Sequence, residues 1–494
     1  MKIDYKIYKD KVYACWQGKN IGGTMGGPYE GQRTTHDVKG FATAAGEALP
    51  NDDLDLQLIW LQAMEHEGPK NITAEVLGEY WLSFIVPFWN EYGIGKRNME
   101  RGIMPPISGE FHNEWKHSNG AWIRTEIWAT LAPACPDLAV RYAIEDAKVD
   151  HGMGEGTYAA AFVAAIESAA FVVSDVRKLI DIGLSKIPES TRMAKSVRLL
   201  LKCFDDGKTW LEARNAILNE NADIGDGWFQ APSNVAYAML GILYGGGDFK
   251  KSMITAINCG DDTDCTAATV GSVLGIMGGT KAIPEDWKNH IGDKIVTVSI
   301  NRGISWRAIN TCTDLTERVV RFAPVVLIEN EAPVEICDKT EIPGDIAERF
   351  SAPYGTSEET DFMRRSTMSL YENTFTKRFL YATAFVTYKD GNDIAPCMKK
   401  SISLKLLNNV KAFGNIPYTV NVKVKLPEGF TADKTDFDVY LPCWTPTSKD
   451  CDTKPVEINI TAGEKVGAVN RILLEISAVG RYTVGYIPVI FIVR

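Results

Sequence analysis

The chain has 494 residues, of which 45% are hydrophobic and 23% charged, a composition typical of folded globular proteins. This length exceeds what one compact core usually organises, so we expect two domains. The formal net charge of −10 argues against a nucleic-acid-binding surface, which would carry a basic stripe, and we predict no nucleic-acid partner.

The amino-terminal segment, MKIDYKIYKDKVYACWQ, is polar and has neither the apolar stretch nor the cleavage site of a signal peptide. No run of about 18 consecutive apolar residues occurs, so we predict no membrane span. The ten cysteines are scattered and form no CxxC pair, which favours reduced thiols over a disulfide framework or a zinc site. We therefore expect a cytoplasmic protein.

Up to about residue 322, apolar residues recur every three or four positions, which is the periodicity of a helix with one buried face. Four segments show this pattern clearly: 54–68, 136–150, 158–173 and 236–245. The sequence therefore predicts an all-helical first domain over residues 1–322.

After about residue 323 the sequence becomes rich in β-branched and aromatic residues. Turn signals such as KDGND, PEGF and TAGEK separate five segments of this kind: 378–388, 401–406, 418–427, 456–461 and 482–493. We interpret residues 323 to about 365 as a linker and the first strands. The sequence thus predicts a second domain, residues 323–494, that forms an antiparallel, immunoglobulin-like β-sandwich.

A helix with one face of small residues is predicted to begin near residue 262. In the stretch NCGDDTDCTAATVGSVLGIMGG (258–279), small residues recur at every fourth position: Ala267, Gly271, Gly275 and Gly279. Residues four apart lie on one face of a helix, so a neighbouring helix can approach this face closely. We expect a deeply buried helix whose first turn carries Asp262 and Asp264.

Carboxylates also crowd the start of an earlier predicted helix, in NDDLDLQLIW (51–60), where Asp52 and Asp53 are adjacent. Two unrelated N-caps would explain both clusters. If the two helix starts meet, however, four carboxylates share one pocket and must be compensated by protons or cations. Oxygen ligands without paired His or Cys favour a hard cation, magnesium first, with manganese or calcium as alternatives.

Five segments resemble, in order, the motifs of the ADP-ribosylglycohydrolase family: GKNIGGTMGGPYEG (18–31), NDDL (51–54), SNGAWIR (118–124), VDHGMGEGTYAAA (149–161) and GDDTDCTAA (260–268). The family includes the dinitrogenase reductase-activating glycohydrolase and the ADP-ribosylarginine and ADP-ribosylserine hydrolases. The resemblance implies an all-helical catalytic domain with two magnesium ions. It covers residues 1 to about 310, so the β domain is an addition to the minimal family fold.

The resemblance also implies an activity, the hydrolysis of a bond at the anomeric carbon of a ribosyl group, and assigns a role to residues of each motif. The residues that it implies are catalytic are Glu30, as acid or base, and Asp52. The residues that it implies bind substrate are Asn119, Gly120, Arg124 and His151. The residues that it implies hold the metal ions are Asn51, Asp52, Asp53, Asp262 and Asp264.

Three positions of the metal motifs depart from the family pattern, and at one of them, Leu54, an apolar residue stands where the family has a threonine. Asn51 replaces a threonine, although its amide oxygen can still serve as a ligand. Cys265 replaces another threonine, and a thiol is a poor partner for magnesium. We therefore expect one metal position to be weakened or completed by water, and the sequence leaves the number of ions open.

Three functions remain open on the sequence alone. The first is a magnesium-dependent glycohydrolase that acts on small-molecule or protein-linked ADP-ribose. The second is a hydrolase of a non-nucleotide glycoside, and the third is a non-catalytic protein that binds ADP-ribose or a glycan. The clustered carboxylates argue against the third, because a binding protein has no need of so many buried charges.

Aromatic side chains offer further candidates for ligand contact. Four tryptophans of the helical domain could stack on an adenine or a sugar but are equally explained as core residues: Trp115, Trp122, Trp128 and Trp228. Trp444 is the stacking candidate of the β domain. That domain could pack on the catalytic domain, mediate a homo-oligomer or bind carbohydrate.

Overall fold

The computed structural model describes residues 1–224, 228–301, 309–354, 373–379, 381–408, 417–442 and 453–493. The chain forms two compact units, residues 1–362 and residues 363–494. Within the described ranges, no helix has both the length and the apolar character needed to cross a bilayer. Trp444 lies outside the described residues.

The first unit is built mainly of α-helices, as the periodicity of the sequence predicts. The helices are α1 (Tyr5–Gly26), α2 (Asp52–Glu67), α3 (Ala74–Phe84), α4 (Asn90–Glu100), α5 (Ile107–Glu110), α6 (Glu126–Leu131), α7 (Pro136–Ala147), α8 (Glu155–Ala169), α9 (Val176–Ser185), α10 (Arg192–Asp205), α11 (Trp210–Glu220), α12 (Ala231–Gly245), α13 (Phe249–Ile257), α14 (Thr263–Gly278), α15 (Glu285–Ile291), α16 (Cys312–Glu329) and α17 (Ile346–Phe350). The predicted helical domain is confirmed.

The prediction that this unit is wholly helical is wrong in one detail. Strand β1 (Lys2–Asp4) pairs in parallel with β2 (Glu335–Cys337). Three-residue strands carry too little alternation to be recognised in a sequence, and parallel pairing needs a partner that is distant along the chain.

The two compact units divide at residue 362, whereas the sequence predicts a boundary at residue 322. Helix α16 crosses the predicted boundary. The segment that follows it stays on the helical unit, because Lys186 Nζ donates to Ala352 O at 2.6 Å. The change of sequence character after residue 323 therefore falls inside α16, well before the end of the first unit at residue 362.

In the second unit, the described residues form two facing five-stranded sheets. Its strands are β3 (Thr374–Arg378), β4 (Ala382–Tyr388), β5 (Asp393–Ile394), β6 (Lys399–Asn408), β7 (Tyr418–Lys425), β8 (Thr431–Ala432), β9 (Asp436–Leu441), β10 (Val456–Thr461), β11 (Val469–Ala478) and β12 (Val484–Val493). The orders are β3-β4-β6-β10-β8 and β5-β12-β11-β7-β9. The named strand pairs of these sheets are antiparallel apart from β12 with β5. Tyr388 joins the two sheets, since its hydroxyl accepts a hydrogen bond from Ile490 N at 2.9 Å. The predicted sandwich is confirmed.

Helices α1 and α14 pack backbone against backbone, as the small-residue face of α14 predicts. A Cβ added to Gly18 would lie 2.2 Å from Gly271 O, and one added to Gly22 would lie 2.3 Å from Ala267 O. Side chains larger than hydrogen would therefore force the two helices apart. This contact matters for function because each helix borders one of the predicted site motifs.

We expect Gly22→Ala to destabilise the fold by about 2 kcal/mol, because the new methyl group meets rigid backbone that cannot relax. Thermal and denaturant unfolding would measure the change. Gly40→Ala is the matched control, since an added Cβ there meets no heavy atom of the described chain within 4 Å. Equal stability of the two variants would contradict the close helix contact.

Candidate active site and metal centre

The contact between α1 and α14 brings the first and last predicted motifs together. Helix α1 ends at Gly26, whose carbonyl accepts a hydrogen bond at 2.8 Å from the hydroxyl of Thr263, in the first turn of α14. The segments just outside the two helices are also joined, because Gly31 N donates to Asp261 O at 2.9 Å. Glu30 is therefore held beside the start of α14.

The start of α2 meets the same point. Asn51 caps α2, since its side-chain oxygen accepts a hydrogen bond from Asp53 N at 2.7 Å. The thiol of Cys265, in the first turn of α14, donates to Asp53 Oδ1 at 3.4 Å across 212 positions of sequence. The two acid clusters thus converge, and the alternative of two unrelated caps does not describe the structure.

Two overlapping groups of side chains can supply ligand atoms to one point. In the outer acid group, which consists of Glu30, Asp262 and Asp264, one oxygen from each residue lies within 4.8 Å of the others. In the inner group, which consists of Asp53, Asp264 and Cys265, one oxygen or sulfur from each lies within the same limit. Asp264 belongs to both groups. Glu30 is exposed, whereas the other four residues are buried.

Two oxygens of the outer acid group accept no hydrogen bond from any described residue: Asp262 Oδ1 and Asp264 Oδ1. The two residues are only 4% and 6% exposed. A buried carboxylate oxygen without a donor is costly unless a proton or a cation compensates it. Because the ligand atoms of this group are hard oxygens, the residues present fit a hard divalent cation.

Mutual repulsion and burial make these carboxyl groups resist ionisation in the metal-free protein. Although Glu30 is exposed as a residue, the desolvation of its carboxyl group and the charges of Asp52 and Asp53 raise its pKa to about 7. Burial and the charge of Glu30 raise the pKa of Asp264 to about 7. Burial and the charge of Asp264 raise the pKa of Asp262 well above its usual range. A bound divalent cation would relieve this repulsion.

We expect the metal-free protein to lose stability as the pH rises from about 5 to about 8. Glu30 and Asp264 have a pKa of about 7 in the folded state, against about 4 when unfolded, so the folded state binds more protons across this window. Stability then falls with pH, because unfolding releases those protons. Magnesium should reduce the slope by replacing them.

Thermal unfolding in chelator and in magnesium, at several pH values, measures both effects. Asp264→Asn is the informative variant, since it removes one of the two titrating carboxyls and should flatten the metal-free slope. A slope that Asp264→Asn leaves unchanged would show that other groups cause it.

Asp52 borders the acid groups and is held by a tyrosine. The hydroxyl of Tyr92, in α4, donates to Asp52 Oδ2 at 3.0 Å. Burial raises the pKa of Asp52, and this hydrogen bond opposes the rise. The sequence gives no sign of Tyr92, because it lies in none of the recognised motifs. The structure shows that it fixes one oxygen of the carboxylate.

The segment SNGAWIR reaches the outer acid group through its asparagine. Asn119 Nδ2 donates to Asp262 Oδ2 at 2.5 Å, and Asn119 Oδ1 accepts from Trp122 Nε1 at 2.9 Å. Gly120 lies against Glu91, where an added Cβ would come within 2.2 Å of Oε1. The structure thus places Asn119 where it orients a candidate metal ligand. Substrate contact by Asn119 or Gly120 stays a prediction.

Arg124 and His151 lie behind this segment, and each is 0% exposed. Arg124 Nη2 lies 2.9 Å from Asp146 Oδ1 and 2.8 Å from Asp150 Oδ1. His151 Nδ1 lies 2.9 Å from Asp150 Oδ1, and Nε2 lies 3.3 Å from Ser118 Oγ. Neither side chain is open to a substrate in this conformation. Direct substrate contact stays a prediction, and the observed contacts indicate that both residues brace the asparagine-bearing segment.

A buried ammonium group, that of Lys19 in α1, lies beneath the inner group. Lys19 Nζ donates to Glu126 Oε1 and Ile123 O, both at 2.7 Å, and to Asp53 Oδ2 at 3.4 Å. Burial opposes its charge, but Glu126 and Asp53 outweigh burial and the pKa of Lys19 is raised. Lys19 is not among the site residues that the sequence predicts. It is a single charged residue in the second half of α1, where every residue from Ala14 to Gly26 is buried.

The tryptophans considered for stacking differ in how far they are buried. Trp122 and Trp128 are fully buried, and Trp115 is half-buried. Trp228 is 38% exposed, and the guanidinium carbon of Arg33 lies 4.8 Å from its ring centroid. Trp122 and Trp128 are therefore core residues, whereas Trp228 stays a candidate for ligand contact.

A family model described as ADP-ribosylglycohydrolase matches residues 4–319, a range that contains every residue of the site. No curated protein matches the chain. A solved structure of an ADP-ribosylglycohydrolase-related protein complex is 19% identical with a TM-score of 0.44, and the match covers 66% of this chain and 99% of that one. A FixG-related protein from Vibrio parahaemolyticus is 13% identical with a TM-score of 0.18, covering 24% of this chain and 99% of that one. From the extent of the family match, the chain belongs to the ADP-ribosylglycohydrolase family of hydrolases.

Proposed function

We propose that the chain is a magnesium-dependent glycohydrolase that cleaves the bond between ADP-ribose, or a related ribosyl group, and its acceptor. The observation that carries the proposal is the convergence of carboxylates from three helix termini, among which Asp262 Oδ1 and Asp264 Oδ1 are buried and accept no hydrogen bond from the described residues. The acceptor is a small molecule or a protein, and manganese is an alternative to magnesium.

The metal ligands that we propose are drawn from the two acid motifs: Asn51, Asp52, Asp53, Asp262 and Asp264. When bound there, the cation would act as a Lewis acid that holds sugar hydroxyls and stabilises negative charge. The chain itself keeps the ligands in place, because Asn119 fixes Asp262 Oδ2 and Tyr92 fixes Asp52 Oδ2. Such supporting hydrogen bonds determine how firmly a carboxylate is oriented toward an ion.

Glu30 is our candidate for the catalytic acid or base. It is exposed at the rim of the outer acid group, where a substrate can reach it. Its pKa of about 7 in the metal-free protein lets the carboxyl group hold and release a proton near neutral pH. In this role Glu30 would protonate the departing acceptor atom or take a proton from the attacking water. Asp52 is the second carboxylate that we propose to be catalytic.

We expect Glu30→Gln to lower kcat by about 10²-fold, the scale of losing a general acid or base. The amide keeps the size of the side chain but cannot exchange a proton, so ADP-ribose affinity should change little. Calorimetric titration with ADP-ribose separates the two quantities. A variant that loses affinity and keeps kcat would assign Glu30 to binding.

A substrate panel tests the proposal against its alternatives. The magnesium-loaded protein is incubated with ADP-ribosylated arginine, with ADP-ribosylated serine and with a simple riboside, and the products are separated by chromatography. Release of ADP-ribose supports the proposal. Release of sugar from the riboside alone would favour a non-nucleotide glycoside hydrolase, and ADP-ribose binding without turnover of any substrate would favour a binding protein.

A further inference from the structure

The carboxylates of the two acid motifs differ in what already contacts their oxygens. Asp53 Oδ2 lies 3.4 Å from the ammonium of Lys19, and Asp53 Oδ1 accepts the thiol of Cys265 at 3.4 Å. By contrast, Asp262 Oδ1 and Asp264 Oδ1 meet no donor in the described part of the chain. Protein groups thus satisfy the inner carboxylate at both oxygens, while two oxygens of the outer acid group are left for an external cation.

Lys19 cannot swing away from this position. Its side chain is 1% exposed, and its Nζ also donates to Glu126 Oε1 and Ile123 O at 2.7 Å. Glu126 is itself held, because Oε2 accepts from Gln57 Nε2 at 2.9 Å. Moving the ammonium would leave buried carboxylates unpaired, which is strongly unfavourable. Lys19 is therefore a fixed positive charge beneath Asp53.

A divalent cation bound to Asp53 would stand within a few ångströms of this fixed charge. Like charges repel strongly where water is excluded, so the ammonium opposes a second ion at the inner group. The ligand set adds to the effect, since the thiol of Cys265 is a poor partner for a hard cation. The outer acid group contains neither a neighbouring ammonium group nor a thiol ligand.

We propose that the chain binds one divalent cation, in the outer acid group, and that the ammonium of Lys19 takes the place of a second cation at the inner group. This inference rests on the proposed metal-dependent function and adds which positive charges compensate the carboxylates of that site. Of the five residues proposed above as metal ligands, Asp53 is thereby reassigned: it acts as a positioning residue that joins Lys19 to the first turn of α14 through Cys265.

The stoichiometry of Mn²⁺ binding to the full chain is the first test. Equilibrium dialysis under reducing conditions, with electron paramagnetic resonance to detect coupled ion pairs, counts the ions per chain without reference to activity. One ion and no coupled pair is the expected result, and two ions would overturn the inference. An absence of Mn²⁺ binding would instead contradict the proposed metal-dependent function, so the two failures are distinguishable.

A pair of isosteric variants locates the ion. Asp264→Asn, which removes a ligand, should weaken Mn²⁺ binding by well over about 10²-fold, whereas Asp53→Asn should weaken it by about tenfold, the lower end of the range for a residue that does not itself hold the ion. Equal losses in the two variants would overturn the assignment to the outer acid group.

Removing the ammonium tests the role of Lys19 directly. Lys19→Met, with its fold checked by circular dichroism, should bind a second Mn²⁺ at concentrations where the parent holds one. Cys265→Thr is the control, because it supplies an oxygen to the inner group but keeps the lysine, and it should still bind one ion. A second ion in Cys265→Thr would show that the thiol, and not Lys19, excludes it. If Lys19→Met does not fold, the parent stoichiometry and the Asp53→Asn comparison still decide.

Discussion

Asp264→Asn is expected to lower kcat by at least about 10⁴-fold in a protein that remains folded. Asp264 belongs to both groups of candidate ligands, so its loss removes a ligand atom wherever the cation is held. Stability in chelator should be unchanged or higher, because burial and the charge of Glu30 already raise the pKa of Asp264 to about 7. Substituting one of several mutually repelling carboxyls relieves that strain.

Steady-state kinetics and thermal unfolding in chelator measure the two effects on the same preparation. Asp286→Asn serves as the control, since Asp286 pairs with Lys250 on the surface and should leave activity unchanged. An Asp264→Asn variant that unfolds in chelator where the parent does not would make Asp264 a structural residue.

Arg124→Ala is expected to lower the free energy of unfolding by about 3–5 kcal/mol, the cost of breaking a buried ion pair by removing one partner. The guanidinium is fully buried between Asp146 and Asp150, which lie within 2.9 Å and 2.8 Å of Nη2. Without it, Asp146 and Asp150 remain in the core, and among the described residues only the imidazole of His151 beside Asp150 is left to oppose their charge. This prediction departs from the role in substrate binding that the resemblance implies for Arg124.

Denaturant unfolding measures this loss, and Arg198→Ala is its matched control. Arg198 pairs with Glu189 at 2.9 Å on the surface, where an ion pair contributes less than about 1 kcal/mol. If Arg124→Ala kept its stability and only raised KM, the arginine would be a substrate ligand reached through a conformational change.

Much of the site could be predicted because its signals are local. The acids at the starts of α2 and α14 stand next to helix-forming runs, and the small residues of α14 recur at the helical period. The contact of Gly18 with Gly271 follows from that period, since only a second helix with equally small residues fits against such a face. Because Glu30 lies just beyond the end of α1, and Asp262 and Asp264 lie at the start of α14, the packing of these two helices brings the acids together.

The rest depends on tertiary contacts that leave no local trace. The sequence does not show that Lys19 lies over Asp53, or that Tyr92 donates to Asp52, because these contacts join different helices. Arg124 illustrates the converse. Its motif predicts substrate contact, but buried aspartates elsewhere in the chain enclose it. A homo-oligomer and a cytoplasmic location stay predictions, since neither depends on contacts within one chain.

Whether the converged carboxylates act through a cation is tested by the release of ADP-ribose from an ADP-ribosylated protein by the chelator-treated full chain, before and after magnesium is restored. We expect no release in chelator, recovery on addition of magnesium, and no recovery in Asp264→Asn. Release that continues unchanged in chelator would contradict this expectation, because the converged carboxylates would then act without a cation.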